Sequence, residues 1–363
     1  MPSRQPPQAR PRARGAAENP KNRFERLAYL EDPEYAERVA RDPDELPPPP
    51  NTRYYDDPSR TILAQNDSPD VPFDVSLNPY RGCLHGCIYC FARPTHEYLG
   101  FSAGLDFETR ILVKRDAPAL LRKALTGPRW KPQVVGLGAV TDAYQPIEGR
   151  LGLTRRCLEV FAELRNPVAI VTKSALVTRD ADLLADLAKD RAAAVYVSVT
   201  TLDEKLARAM EPRAAPPRRR LAAIEALARA GVPVGAMIAP IIPALNDHEI
   251  PALVQAVARA GAHSARPILL RLPYGLGPLF ESWLERHFPE RRQKVLARIR
   301  EMRGGRLNDA RFHHRMRGSG VFAEQTRALF ELARRRAGLP ESAARLSAEA
   351  FRRPRAPQLP LFS

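Results

Sequence analysis

The sequence predicts an α/β fold: a partial (β/α)6 TIM-like barrel with an extended N-terminal arm before it and a helical, basic region after it. Three observations carry this reading. Six short β-rich runs alternate with amphipathic helical patterns between residues 71 and 274, no such run follows Gly275, and proline and basic charge gather towards the ends of the 363-residue chain. Strands and helices in steady alternation are what parallel strands joined by crossover helices require.

Residues 1–70 open with RQPPQARPRARGAAENP, continue through a helical pattern around Arg23 to Arg41, and reach PPPP at Pro47 to Pro50. This is an arm with little core of its own, and losing residues 1–60 is expected to cost little activity. The runs VPFDVSL (71–77), QVVGLGAV (133–140), PVAIVTK (167–173), AAVYVSVTT (193–201), VPVGAMIAPI (232–241) and ARPILLRL (265–272) follow. They are nearly continuous in apolar residues, as strands covered on both faces must be. Between them, Asp116 to Leu125, Leu153 to Leu164, Asp180 to Leu187, Arg218 to Ala230 and Glu249 to Ala260 carry helical periodicity. Barrels of this kind place their chemistry just beyond the C-terminal ends of the strands. Residues 278–338 read as helices bearing the basic charge. The organisation is therefore an arm (1–70), a barrel (71–274), a basic helical region (275–340) and a flexible tail (341–363).

A hydrophobic fraction of 44% is enough for a substantial core and excludes wholesale disorder. No apolar run approaches the roughly 18 residues of a membrane span, and the basic N-terminus lacks an apolar signal core, so a cytoplasmic protein is expected. Four cysteines make no disulfide scaffold and are free for metal or redox work. Lys and Arg number 57 against 41 Asp and Glu, a net +16, and between Arg286 and Ser363 the count is 19 against 7, a net +12. Such a segment suits a polyanion, most simply nucleic acid, a solvated basic surface being the plainer alternative.

Directly after the first run stands Asn78-Pro-Tyr-Arg-Gly-Cys83-Leu-His-Gly-Cys87-Ile-Tyr-Cys90-Phe-Ala-Arg93. The spacing C-x3-C-x2-C puts three thiolates on one short loop, with the aromatic Tyr89 before the third. That suits a soft metal centre, whereas structural zinc wants a fourth ligand. Cys157 is a poor fourth: it lies four residues from both Leu153 and Phe161, on the apolar face of a helix. Three thiolates on a 4Fe–4S cluster leave one iron open to a small molecule. Gly82 and Gly86 let the loop wrap such a centre, and His85 and His96 flank it, as ligands or as ordinary loop histidines.

C-x3-C-x-aromatic-C after a first barrel strand resembles the radical S-adenosylmethionine superfamily. The resemblance implies a 4Fe–4S cluster on Cys83, Cys87 and Cys90, S-adenosylmethionine chelated at the open iron, and an electron donor such as flavodoxin or ferredoxin. Reductive cleavage to a 5′-deoxyadenosyl radical would follow. The later strands end in polar groups that an apolar core does not need: Thr141-Asp142-Ala-Tyr144-Gln145-Pro-Ile-Glu148, then Lys173-Ser174, then Ser198 and Thr200. These resemble the spore photoproduct lyase-like, or DNA repair photolyase-like, subfamily, and the resemblance carries S-adenosylmethionine contacts to Thr141, Lys173 and Ser198. A lysine supplies a point charge for a carboxylate, and hydroxyls bond carboxylate or ribose; solvent and backbone are their alternative partners. Tyr89 and Asp142 join the candidate cofactor set, as does Arg213, read with Glu211 as a carboxylate or phosphate clamp or as a loop salt bridge. Val140 stands where spore photoproduct lyases have the cysteine that returns a hydrogen atom, so that step is not carried over. The superfamily resemblance spans about Val71 to Leu272; it is specific for the cofactor and weak for the substrate.

The tail ends in Gln358-Leu359-Pro360-Leu361-Phe362, similar to the pentapeptide with which bacterial repair proteins dock onto the replication sliding clamp; packing of Leu359 and Phe362 on the barrel is the alternative. Together these readings predict a radical enzyme acting on DNA, in base or lesion repair or modification of the lyase type. RNA, protein or small-molecule substrates are the alternatives, as is a non-enzymatic iron–sulfur module.

Overall fold

The computed structural model describes residues 14–16, 19–20 and 52–353. The helical pattern around Arg23 to Arg41 and the QLPLF tail lie outside them. The six sequence-predicted strands are all present, as β3 (Val75–Leu77), β6 (Val135–Leu137), β7 (Val168–Thr172), β8 (Ala193–Ser198), β9 (Val234–Ile241) and β10 (Ser264–Leu269). They pair in parallel in that order, with β2 (Leu63–Gln65) added antiparallel to β3, giving a seven-stranded sheet β10-β9-β8-β7-β6-β3-β2.

The crossover helices follow the predicted pattern closely: α2 (Ala117–Thr126), α4 (Leu153–Leu164), α5 (Ala181–Lys189), α7 (Pro217–Arg229) and α8 (Ile250–Arg259). Each turns an apolar stripe onto the sheet. In α4 that stripe is Cys157, Leu158, Phe161 and Leu164, all buried in the core that covers the strands, while Leu153 at its start packs with Tyr80, Leu84 and Ile111. Burying one such side chain stabilises the fold by about 1.5–3 kcal/mol, so the strand and helix stripes together form the main core.

A second, small sheet was not legible in the sequence. β1 (Arg53–Asp56) pairs in parallel with β5 (Arg110–Val113), which pairs antiparallel with β4 (Tyr80–Arg81). Thus residues 53–65, read from sequence as part of the arm, contribute β1 and β2 to the folded body. A short helix α1 (Leu105–Thr109) precedes β5, α3 (Glu148–Leu151) precedes α4, and α6 (Glu204–Met210) follows β8. After β10 come α9 (Leu276–His287), α10 (Pro289–Met302) and α11 (Val321–Arg336), the predicted helical region.

Among the described residues the sheet does not close, having β10 at one edge and β2 at the other. The loop between α10 and α11 spans the opening. Leu269 N–H donates to the Met316 carbonyl at 3.0 Å, while Arg315 donates to Asp70 at 2.5 Å and to Ser68, both in the β2–β3 connection. No described helix is long and apolar enough to cross a membrane.

Candidate cofactor site at the barrel mouth

The cysteine loop leaves β4 at the C-terminal end of the barrel. Gly82 and Gly86 have φ of 78° and 66°, left-handed conformations that glycine adopts without penalty. The loop is tied down by its backbone: Cys83 N–H donates to the Phe107 carbonyl at 2.9 Å and Ile88 N–H to the Met210 carbonyl at 3.0 Å. Side chains distant in sequence complete the cradle. Gln145 accepts from Leu84 N–H at 2.9 Å and donates to the Gly82 carbonyl at 3.2 Å. Arg93 donates to the Cys87 carbonyl at 2.9 Å. Cys83 and Cys87 are buried and Cys90 half-buried.

Around the loop stand the strand-end groups. Asp142 accepts from Thr172 Oγ1 and from Lys173 N–H, both at 2.7 Å, and its carboxylate lies 3.3 Å from His85 Nδ1. Burial raises the Asp142 pKa, but the His85 charge and these hydrogen bonds outweigh it and bring it to about 2. His85 is driven to about 10: burial opposes its charge, while Asp142 and Cys83 favour it. Lys173 Nζ lies over the Tyr89 ring, 5.8 Å from its centroid, and its charge bears on the Cys87 and Cys90 thiols. The Thr141 hydroxyl donates to the Tyr80 carbonyl at 2.7 Å, so its proton is already used within the protein. Ser198 is buried at the end of β8.

Tyr89 belongs to a network that the sequence did not reveal. Its hydroxyl donates to Glu211, which also takes a 2.7 Å hydrogen bond from Thr200 and an ion pair from Arg220. Arg220 in turn donates to the Ser198 carbonyl at 3.1 Å. Of the Glu211–Arg213 pair singled out in the sequence, Glu211 is held inward by Arg220, whereas Arg213 is exposed and meets the loop through its backbone, N–H to the His85 carbonyl at 3.2 Å. The structure therefore brings Tyr89, Asp142, Lys173 and the three cysteines together, with Thr141 and Ser198 bordering them. Glu108 and Arg220 were missed, and Arg93 and Gln145 stood within the quoted motifs without an assigned role. Their only sequence signal was polarity inside otherwise apolar surroundings.

The donor set fits a cluster. Burial pushes the Cys87 and Cys90 thiols up, and the charges of neighbouring sulfurs add to this; a metal's positive charge reverses that balance and ionises the ligands. Among the described residues no three His, Cys, Asp or Glu side chains converge as the ligands of one ion do. Cluster thiolates need no such convergence, since each takes a different iron. Cys157 is fully buried in the apolar core, and burial pushes its thiol up, as a packing residue requires. His96 is buried with Nε2 at 2.8 Å from the Arg110 carbonyl, a structural role.

A model of the Radical SAM superfamily matches residues 77–257. The uncharacterized protein Rv2578c of Mycobacterium tuberculosis is 39% identical over 234 residues, covering 64% of this chain and 68% of the relative. The uncharacterized protein MJ0683 of Methanocaldococcus jannaschii is 32% identical over 174 residues, 48% of this chain and 62% of the relative. Among solved structures, spore photoproduct lyase complexed with dinucleoside spore photoproduct superimposes with a TM-score of 0.55 at 18% identity, covering 78% of this chain and 79% of that one. At that identity the likeness concerns the fold.

Proposed function

The chain belongs to the radical S-adenosylmethionine superfamily, and on that premise we propose that it is a radical enzyme directed at DNA, with Cys83, Cys87 and Cys90 as the ligands of its cluster. Its cofactors are those of the family, a 4Fe–4S cluster and S-adenosylmethionine. When bound and reduced by an external one-electron donor, that pair would supply reductive cleavage of the sulfonium and so radical chemistry. The chain's own residues hold and shield that chemistry. Lys173 offers a positive charge beside the cysteine loop for the cofactor carboxylate, kept in place by the hydrogen bond from its backbone to Asp142. Tyr89, fixed by Glu211, covers the same side of the loop. Ser198, Thr141 and Asp142 border the place where the remaining polar groups of the cofactor would lie, and Arg213 stands at its rim.

The observation that carries the reading is the C-x3-C-x2-C loop at the C-terminal mouth of a six-stranded parallel barrel, faced by Lys173. DNA is favoured as substrate by the net +12 of the C-terminal region and agrees with the spore photoproduct lyase-like fold. An enzyme reaching a base within a duplex must also extrude it, which an open barrel mouth accommodates. Val140 packs against the apolar group of Cys83, Ala92 and Phe107 and carries no S–H, so hydrogen return from this position is not part of the proposal. A clamp-docking tail at Gln358, Leu359, Leu361 and Phe362, and flavodoxin or ferredoxin as electron donor, complete the proposed partners. The test is anaerobic: reconstituted, dithionite-reduced protein is given S-adenosylmethionine with and without duplex DNA. 5′-Deoxyadenosine that rises with DNA supports the reading, and product indifferent to DNA refutes the choice of substrate.

A further inference from the structure

Arg93 and Glu108 form an ion pair in which both side chains are 0% exposed. Arg93 spends Nε on the Cys87 carbonyl (2.9 Å), Nη2 on the Gly86 carbonyl (3.2 Å), and Nη1 on the carbonyls of Ala103 (3.2 Å) and Gly104 (2.9 Å). One guanidinium thereby grips the backbone of the C-x3-C loop. A buried guanidinium needs its carboxylate, and a buried carboxylate needs its other lone pairs filled.

They are filled from the N-terminal segment. Gly15 N–H donates to Glu108 Oε2 at 3.0 Å and Ala16 N–H to Oε1 at 2.7 Å, while Arg14 Nη1 donates to the Glu108 carbonyl at 3.0 Å. Gly15 lies so close to the loop that a Cβ there would collide with the Gly86 carbonyl oxygen. Ala16 is buried in one apolar group with Cys87, Ile88 and Tyr89. Farther along, Asn19 and Asp106 exchange hydrogen bonds of 3.2 and 3.0 Å, and Ser102 donates to the Pro20 carbonyl at 2.7 Å.

We propose that Arg14–Ala16 is a positioning strap of the cofactor site. Its two N–H groups complete Glu108, Glu108 holds Arg93, and Arg93 holds the Gly86 and Cys87 carbonyls, so the cysteine loop keeps its cluster-binding conformation only with the strap seated. This reverses the sequence-based expectation that the arm is dispensable. It rests on ligation of the cluster by Cys83, Cys87 and Cys90.

The experiment compares wild type, Gly15→Val in the full chain, a chain lacking residues 1–20, and Cys83→Ala, all reconstituted anaerobically. Iron and sulfide content, the EPR spectrum of the reduced cluster and the rate of bleaching by a ferrous chelator are read, with circular dichroism as the measure of fold. Both strap variants are expected to keep the fold, to bleach about tenfold faster and to give an altered EPR spectrum, as losses of outer-sphere support do. A peptide spanning residues 8–24 should return the truncated chain towards wild type, and the same peptide with Gly15→Val should not. Wild-type bleaching and EPR in the Gly15→Val chain would overturn the strap, and that variant decides alone if the truncated chain does not fold. A wild-type cluster in Cys83→Ala would instead overturn the ligation on which the strap rests.

Discussion

Lys173 is the residue where sequence and geometry meet most closely, because its backbone is bonded to Asp142 and its ammonium lies above Tyr89 beside two of the cysteines. Replacing it with Ala removes the charge but none of the thiols. Equilibrium dialysis of S-adenosylmethionine against reconstituted Lys173→Ala should show binding weakened by about tenfold or more, the scale of losing one charge-assisted hydrogen bond, with iron content unchanged. Unchanged binding would remove Lys173 from the cofactor site. His96 illustrates the opposite case, a titratable group with a structural duty. Burial depresses its pKa to about 4, despite the hydrogen bond with the Arg110 carbonyl. The unfolded chain binds the proton near the ordinary value of 6.5, so the stability this residue contributes is full above that pH and falls as pH drops towards 4. The whole effect is of order 3 kcal/mol. The advantage of wild type over His96→Gln in thermal midpoint should accordingly shrink between pH 7 and pH 5. A difference constant with pH would mean that His96 is not held neutral.

At the scale of elements, the six barrel strands and five crossover helices could be read from the sequence to within a few residues, since each is a buried apolar run or a stripe of period 3.6. β1, β2, β4 and β5 could not. They are two to four residues long, and β1 and β2 are largely exposed, so they carry too little periodicity to register. The same limit applies to the site. Three cysteines within eight residues announce themselves, but Arg93 with Glu108, Gln145 with Leu84, and Glu211 with Arg220 are pairings that folding alone creates. The last of these joins the N-terminal part of α7 to the residue just after α6, below Tyr89. Both partners are buried, so Arg220→Leu leaves Glu211 an unpaired buried charge and should cost about 3–5 kcal/mol in chemical denaturation. Loss under 1 kcal/mol would show that water or another cation compensates Glu211.

For the molecule as a whole, the barrel, the cysteine loop and the basic C-terminal helices are parts of one arrangement. The sheet is left open between β2 and β10, the loop between α10 and α11 bridges that opening through Arg315 and Met316, and the cysteine loop lies at the mouth. The charge of the C-terminal region thus adjoins the barrel rather than forming a remote appendage. On the proposed reading this charge would attract a polyanionic substrate, and any such attraction should weaken with salt. The central claim, however, is the cofactor site itself. EPR of the dithionite-reduced, reconstituted protein, recorded before and after adding S-adenosylmethionine, tests it most directly. The account predicts a reduced 4Fe–4S signal that changes on addition of S-adenosylmethionine in wild type and in Cys157→Ala, and no such signal in Cys83→Ala, Cys87→Ala or Cys90→Ala. A signal indifferent to S-adenosylmethionine, or one that survives loss of any of those three cysteines, would contradict it.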